Sequence, residues 1–160
     1  MTGGGTSIPE VQQLLAVLAA GKRCAELGTA FGEGAAAIAS TAESLVTVEV
    51  ETDRAAIARK RLEGLANVEL VEGDWKDVLP ARGPFEFLFL DAGGWKHDPW
   101  GAGQPALDLL AHGGLLLKDD LTPGFTGPDP VRDWLFGHPD LVATEILTTP
   151  ETAAILATRR

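Results

Sequence analysis

The chain has 160 residues, 45% of them hydrophobic, and 23 acids against 13 bases set its formal net charge at −10. The length suits one domain with a proper core, the charge repels a duplex or long RNA, and no apolar run approaches the roughly 20 residues of a membrane span. The start MTGGGTSIPE has neither a basic nor an apolar signal region, and the single cysteine, Cys24, excludes an internal disulfide.

These features point to a cytoplasmic protein of small-molecule chemistry, with neither nucleic acid nor membrane as partner. Residues 1–6 read as a disordered leader and 7–160 as a single domain. Ser7 and Glu10 have the spacing of a capping box, with Pro9 inside the first turn. Val11, Leu14, Leu15 and Leu18 recur at helical spacing, and Gly21 closes that helix. A short strand follows at 23–27, in which Cys24 reads as a small buried hydrophobe.

The stretch ELGTAFGEG, Glu26 to Gly34, then joins that strand to an alanine-rich helix at 33–41. Strand, glycine-rich turn and helix form the first half of a nucleotide-binding α/β unit. Gly28, Gly32 and Gly34 allow a tight turn and a close backbone approach, and the helix N-terminus offers free N–H groups to an anionic ligand group. A dinucleotide fingerprint wants a glycine two residues after Gly28, where this chain has Ala30.

The second strand, Leu45 to Val50, carries Glu49, 21 residues after Gly28. That is about where an α/β nucleotide site places an acid against ribose hydroxyls. Glu51 and Asp53 suit the N-terminus of the next helix, 53–63. A third strand at 68–72 leads to Gly73-Asp74-Trp75, where the acid suits an adenine amino group and the ring suits either a base or helix-start packing. Phe85 to Leu90, apolar but for Glu86, is the most apolar strand of the chain, as expected of one buried on both faces at the sheet centre, and it is followed by Asp91.

The loop Ala92 to Gly103 holds Trp95, Lys96 and His97, at the carboxyl end of a strand where ligand and catalytic groups collect. A helix is expected at 104–111, a strand at 115–118 ending in Lys118-Asp119-Asp120, and a proline- and glycine-rich loop from Thr122 to Pro130. A helix at 130–137 and strands at 141–147 and 152–158 close the chain as an antiparallel hairpin. His112 and His138 have capping and turn contexts. The expected fold is α/β, a Rossmann-like seven-stranded, mostly parallel sheet with helices on both faces.

ELGTAFGEG, TVEVETD, VELVEGDW, FLFLDAGGWK and GGLLLKDDLTPG occur in the order found in class I S-adenosylmethionine-dependent methyltransferases. Within that superfamily the chain resembles the small O-methyltransferases related to catechol and caffeoyl-coenzyme-A O-methyltransferases. The resemblance implies that S-adenosyl-L-methionine lies along Glu26, Gly28, Thr29, Ala30, Gly32, Gly34, Glu49, Val50, Gly73, Asp74, Trp75, Asp91 and Trp95. It further implies that Asp91, Asp119 and Asp120 hold Mg²⁺ or a similar divalent ion, an oxygen-rich donor set suited to a hard cation. Asp120 departs from the family, which carries Asn there.

Trp95-Lys96 resembles the family's Trp-Lys pair, two residues further from the strand-end Asp than expected. Lys96 is then a candidate general base with His97 as its competitor. The family's additional N-terminal helices have no counterpart before residue 8, so the acceptor pocket is expected to be open, or completed by a second copy in a homodimer. The reaction implied is methyl transfer to a small-molecule hydroxyl. A metal-independent methyltransferase acting on nitrogen or carboxylate, and a module that binds S-adenosylmethionine without turnover, stay open as alternatives.

Overall fold

The structure, a computed structural model, describes residues 6–92 and 94–160, with Lys96 described by its backbone alone. Most of the leader therefore lies outside the described residues. Among them, no helix is long and apolar enough to cross a membrane.

Helix α1 (Pro9–Ala19) precedes strand β1 (Arg23–Leu27), and the chain then alternates: α2 (Glu33–Ala39), β2 (Ser44–Glu49), α3 (Thr52–Arg61), β3 (Val68–Glu72), α4 (Trp75–Val78), β4 (Phe85–Leu90). Two helices, α5 (Gly94–His97) and α6 (Pro99–Asp108), lead to β5 (Leu110–Leu121), and α7 (Pro130–Gly137), β6 (Leu141–Thr149) and β7 (Thr152–Arg159) complete the chain. The sheet has seven strands in the order β3-β2-β1-β4-β5-β7-β6. From β3 to β5 all pairs are parallel, whereas β7 runs antiparallel between β5 and β6. The expected α/β fold and terminal hairpin are both present, with β7 inserted beside β5 and β6 at the edge.

Alternation along the strands divides the core into two layers. Phe87 and Phe89 of β4 face α1 and α2, packing with Leu15 and Ile38. Leu88 and Leu90 face α4 to α7, packing with Trp75, Trp95, Leu107 and Trp134. The sheet order reverses between β1 and β4, which opens a crevice at their carboxyl ends.

Three boundaries differ from expectation for local reasons. Ser7 does not cap α1: the helix starts at Pro9 with Ile8 at the N-cap and no side-chain cap bond. Ser7 therefore sits one residue too far out, and its carbonyl accepts instead from Gln12 Nε2 at 2.7 Å. Helix α6 begins at Pro99 rather than 104, because the Asp98 carboxylate caps it by accepting the Gly101 N–H at 2.8 Å. Strand β5 begins at Leu110, since a register shift against β4 between Phe85 and Phe87 absorbs the Gly113-Gly114 pair.

Candidate active site

The turn after β1 is built by close approach. Gly28 has φ +96°, and a Cβ there would stand 3.0 Å from the Ala92 nitrogen at the end of β4. Only glycine brings the turn against the neighbouring strand in this conformation. The Gly28 and Thr29 amides donate to the Val48 carbonyl at 3.0 and 3.1 Å, tying the turn to β2.

Glu49 completes that tie. Its Oε2 accepts the buried Ala30 N–H at 2.7 Å and its Oε1 accepts the Glu51 N–H at 2.9 Å. The carboxylate thereby brackets the glycine turn on one side and the start of α3 on the other. Each oxygen keeps a further lone pair for a ligand hydroxyl.

Beneath the turn, Glu26 is almost wholly buried. Thr47 Oγ1 donates to its Oε2 at 2.5 Å, and the Thr29 hydroxyl joins Thr47 at 2.6 Å. Burial pushes the Glu26 carboxyl well above its ordinary range; the Thr47 hydrogen bond opposes this, and the charges of Asp91, Glu49 and Asp119 add to it. Thr47 escaped the sequence reading, although a polar residue in the apolar run LVTVE was its available signal.

A cleft of about 400 Å³ opens above, lined by Gly28, Ala30, Glu49, Val50, Gly73, Asp74, Trp75 and Asp91 among the expected residues. Arg54 also lines it, held 5.8 Å over the Phe31 ring, and was not anticipated. Asp74 caps α4 by accepting the Lys76 N–H at 2.9 Å. Trp75 is at once a wall of the cleft and part of the core, so its two readings hold together.

The remaining expected cofactor residues sit behind this surface. Glu26 and Thr29 form the buried chain just described. Gly32, at the N-cap of α2, has a would-be Cβ 3.3 Å from Ala58 Cα, and Gly34 faces Glu26. Trp95, expected along the cofactor, stands elsewhere: its ring is fully buried and meets Trp134 edge-on at 5.1 Å. Helix α5 turns it into the core between sheet and α7, away from the cleft. His97 is exposed and does not line the cleft, and the Lys96 side chain lies outside the described residues.

At the ends of β4 and β5, Asp91, Asp119 and Asp120 each offer a carboxylate oxygen, all within 4.8 Å of one another. Asp119 is buried, Asp91 half-buried and Asp120 exposed, so the group runs from the sheet to solvent. Such hard donors, gathered so closely, suit a divalent ion that relieves their mutual repulsion.

The methyltransferase domain family matches residues 25–121, more than half of the chain. A protein-L-isoaspartate O-methyltransferase of Rhodopseudomonas palustris (strain BisB5) is 36% identical over 102 residues, which cover 62% of this chain and 45% of that protein. The match thus spans less than half of that curated relative. Cofactor-bound Rv0187 from MTB superposes with a TM-score of 0.84 at 27% identity, over 97% of this chain and 82% of that one. The O-methyltransferase TomG of Streptomyces achromogenes, involved in tomaymycin synthesis and in complex with S-adenosylmethionine, gives 0.75 at 27% identity, over 97% and 81%. By sequence and architecture the chain belongs to the methyltransferase domain family, as a class I, S-adenosylmethionine-dependent member built like the small O-methyltransferases.

Proposed function

We propose that this protein transfers a methyl group from S-adenosylmethionine to the hydroxyl of a small molecule bearing neighbouring oxygens, with a divalent cation held by Asp91, Asp119 and Asp120. One observation carries the reading: the three carboxylates converge within 4.8 Å beside the cleft, and Asp91 belongs to both. When bound, the cation would chelate the acceptor oxygens and favour the ionised nucleophile.

The chain's own residues supply position. Glu49 and the Gly28–Ala30 turn hold the nucleoside end of the donor, and Asp74 and Trp75 border its base. The acceptor oxygen forms its bond to the methyl carbon as the carbon–sulfur bond breaks, leaving S-adenosylhomocysteine. Lys96, five residues past Asp91 in the sequence, is the candidate to take the hydroxyl proton, with His97, exposed and outside the cleft lining, as its competitor. Alignment within a preorganised cleft provides most of the acceleration. The buried lone cysteine, its thiol pushed up to about 12 by burial, suits a reducing cytoplasm and takes no part.

A second reading rests on the similarity to the isoaspartate O-methyltransferase: a metal-independent enzyme acting on a carboxylate. Methyl transfer from labelled S-adenosylmethionine to catechols and to carboxylate acceptors, with Mg²⁺ and with EDTA, separates the two. Diol methylation abolished by EDTA is the expected result. Carboxylate methylation indifferent to EDTA would transfer the assignment to the second reading.

A further inference from the structure

Successive side chains of a regular strand point to opposite faces of the sheet. In β5, Leu116 accordingly packs on the α6 and α7 side and Leu117 on the α1 and α2 side. Asp119 and Asp120 are consecutive as well, yet both bring an oxygen to the same group as Asp91. A regular strand end would separate them.

Two backbone features bring them together. Lys118 pairs with Ile155 but Leu121 pairs with Ala153, so Asp119 and Asp120 together face the single residue Ala154. This is a β-bulge, which interrupts the ladder and re-aims a side chain. Asp120 also has φ +62°, a left-handed conformation uncommon outside glycine.

Lys118 opens the bulge. Its side chain is 1% exposed, although lysine is among the residues least often found inside. Its Nζ donates to the carbonyl oxygen of Asp119 at 2.8 Å, inside the bulge itself. An apolar side chain would fill the same strand position at a lower desolvation cost, but would offer that carbonyl no donor.

We propose that Lys118 is a positioning residue of the carboxylate site: by holding the Asp119 carbonyl it fixes the β5 bulge and so presents Asp119 and Asp120 together with Asp91. The inference rests on the reading of these aspartates as a cation site. Its sign is informative. A nearby ammonium repels a metal ion, so loss of its charge alone would tighten metal binding, whereas loss of the bulge geometry would weaken it.

The test compares the full chain with its Lys118→Met and Lys118→Gln variants. Mn²⁺ binding is followed by electron paramagnetic resonance, and hydrogen exchange is measured over residues 119–121. S-adenosylmethionine titration serves as the control for folding. Lys118→Met should bind Mn²⁺ about tenfold more weakly, the lower range for loss of an outer-shell support. It should also speed exchange over residues 119–121 and leave S-adenosylmethionine affinity unchanged. Lys118→Gln, neutral but still a donor, should recover most of the Mn²⁺ affinity.

Unchanged or tighter Mn²⁺ binding in Lys118→Met, with unchanged exchange, would overturn the proposal. If the unsubstituted chain binds no Mn²⁺, the cation reading fails, and the exchange rates alone decide the role of Lys118. If Lys118→Met does not fold, Lys118→Leu takes its place in the same comparison.

Discussion

Glu26 and Gly34 close on the same small volume: Glu26 Oε1 lies 2.5 Å from where a Cβ of residue 34 would stand. The third glycine of the turn thus answers to a buried carboxyl. Gly34→Ala would push on Glu26 and, at 3.3 Å, on the Phe89 ring in the centre of the sheet. The expected loss is about 1–3 kcal/mol, as for overpacking of a tight core. In a double-mutant cycle the same change should cost less beside Glu26→Ala, read by urea denaturation; strict additivity would place the clash elsewhere.

Glu26 also sets a pH dependence. Its folded-state value is raised above about 4.5, so the folded chain binds the proton that the unfolded chain releases first. Its contribution is therefore fully present below about 4.5 and declines as pH rises from there through the raised value. Glu26→Gln keeps an acceptor for Thr47 without the charge. Thermal unfolding of this variant should lack that decline, and equal slopes for the two proteins would contradict the account.

Glu49 holds two backbone donors, and its loss should appear first as a structural defect. Glu49→Ala leaves the buried Ala30 N–H without its acceptor, a cost of about 1–3 kcal/mol for a stranded buried donor. Calorimetric titration should show weaker S-adenosylmethionine binding in both Glu49→Ala and Glu49→Gln, with the smaller stability loss in the second. Unchanged affinity in Glu49→Ala would remove the ribose assignment.

How much of this was readable in advance follows from how local each determinant is. The turn was legible because Gly28 and Glu49 act through backbone geometry at a fixed offset, and β4 was legible because FEFLFL leaves few other places for it. Trp95 was misread because the side its ring takes is decided by Trp134, a residue 39 positions further on. The start of α6 was hidden by a cap, Asp98, that follows no apolar period. The bulge at Asp119-Asp120 has no composition signal at all: a left-handed aspartate looks like any other in a sequence.

Trp95 and Trp75 should consequently behave differently. The Trp95 Nε1 is buried and has no hydrogen-bond partner among the described residues. Trp95→Phe removes that stranded donor while leaving a small void, two effects of opposite sign, so stability should shift by no more than about 1.5 kcal/mol. S-adenosylmethionine affinity should be untouched. Trp75→Phe, in the cleft wall, should lower it, and an equal loss in both variants would restore Trp95 to the cofactor site.

Arg132 straps the loop after β5 to the edge of the sheet. Its guanidinium meets Asp129 and, through Nε at 2.8 Å and Nη2 at 3.0 Å, Glu145 of β6, while Nη2 also donates to the Thr122 carbonyl at 2.8 Å. The Arg132 hydrogen bond holds the Glu145 carboxyl below its ordinary value; at Asp129 burial raises the carboxyl, but hydrogen bonds from Arg132 outweigh it and the net shift is down. Both acids then contribute stability that is present above their unfolded values and lost as pH falls through the lower folded ones. Arg132→Met should unfold less steeply with acid below about 4.5, the ordinary value for Glu145, and should be the less stable protein at neutral pH. Because the strap anchors the loop that leaves Asp120, its loss should also speed hydrogen exchange over residues 122–129. Parallel acid profiles for the two proteins would show that the strap carries no net charge stabilisation.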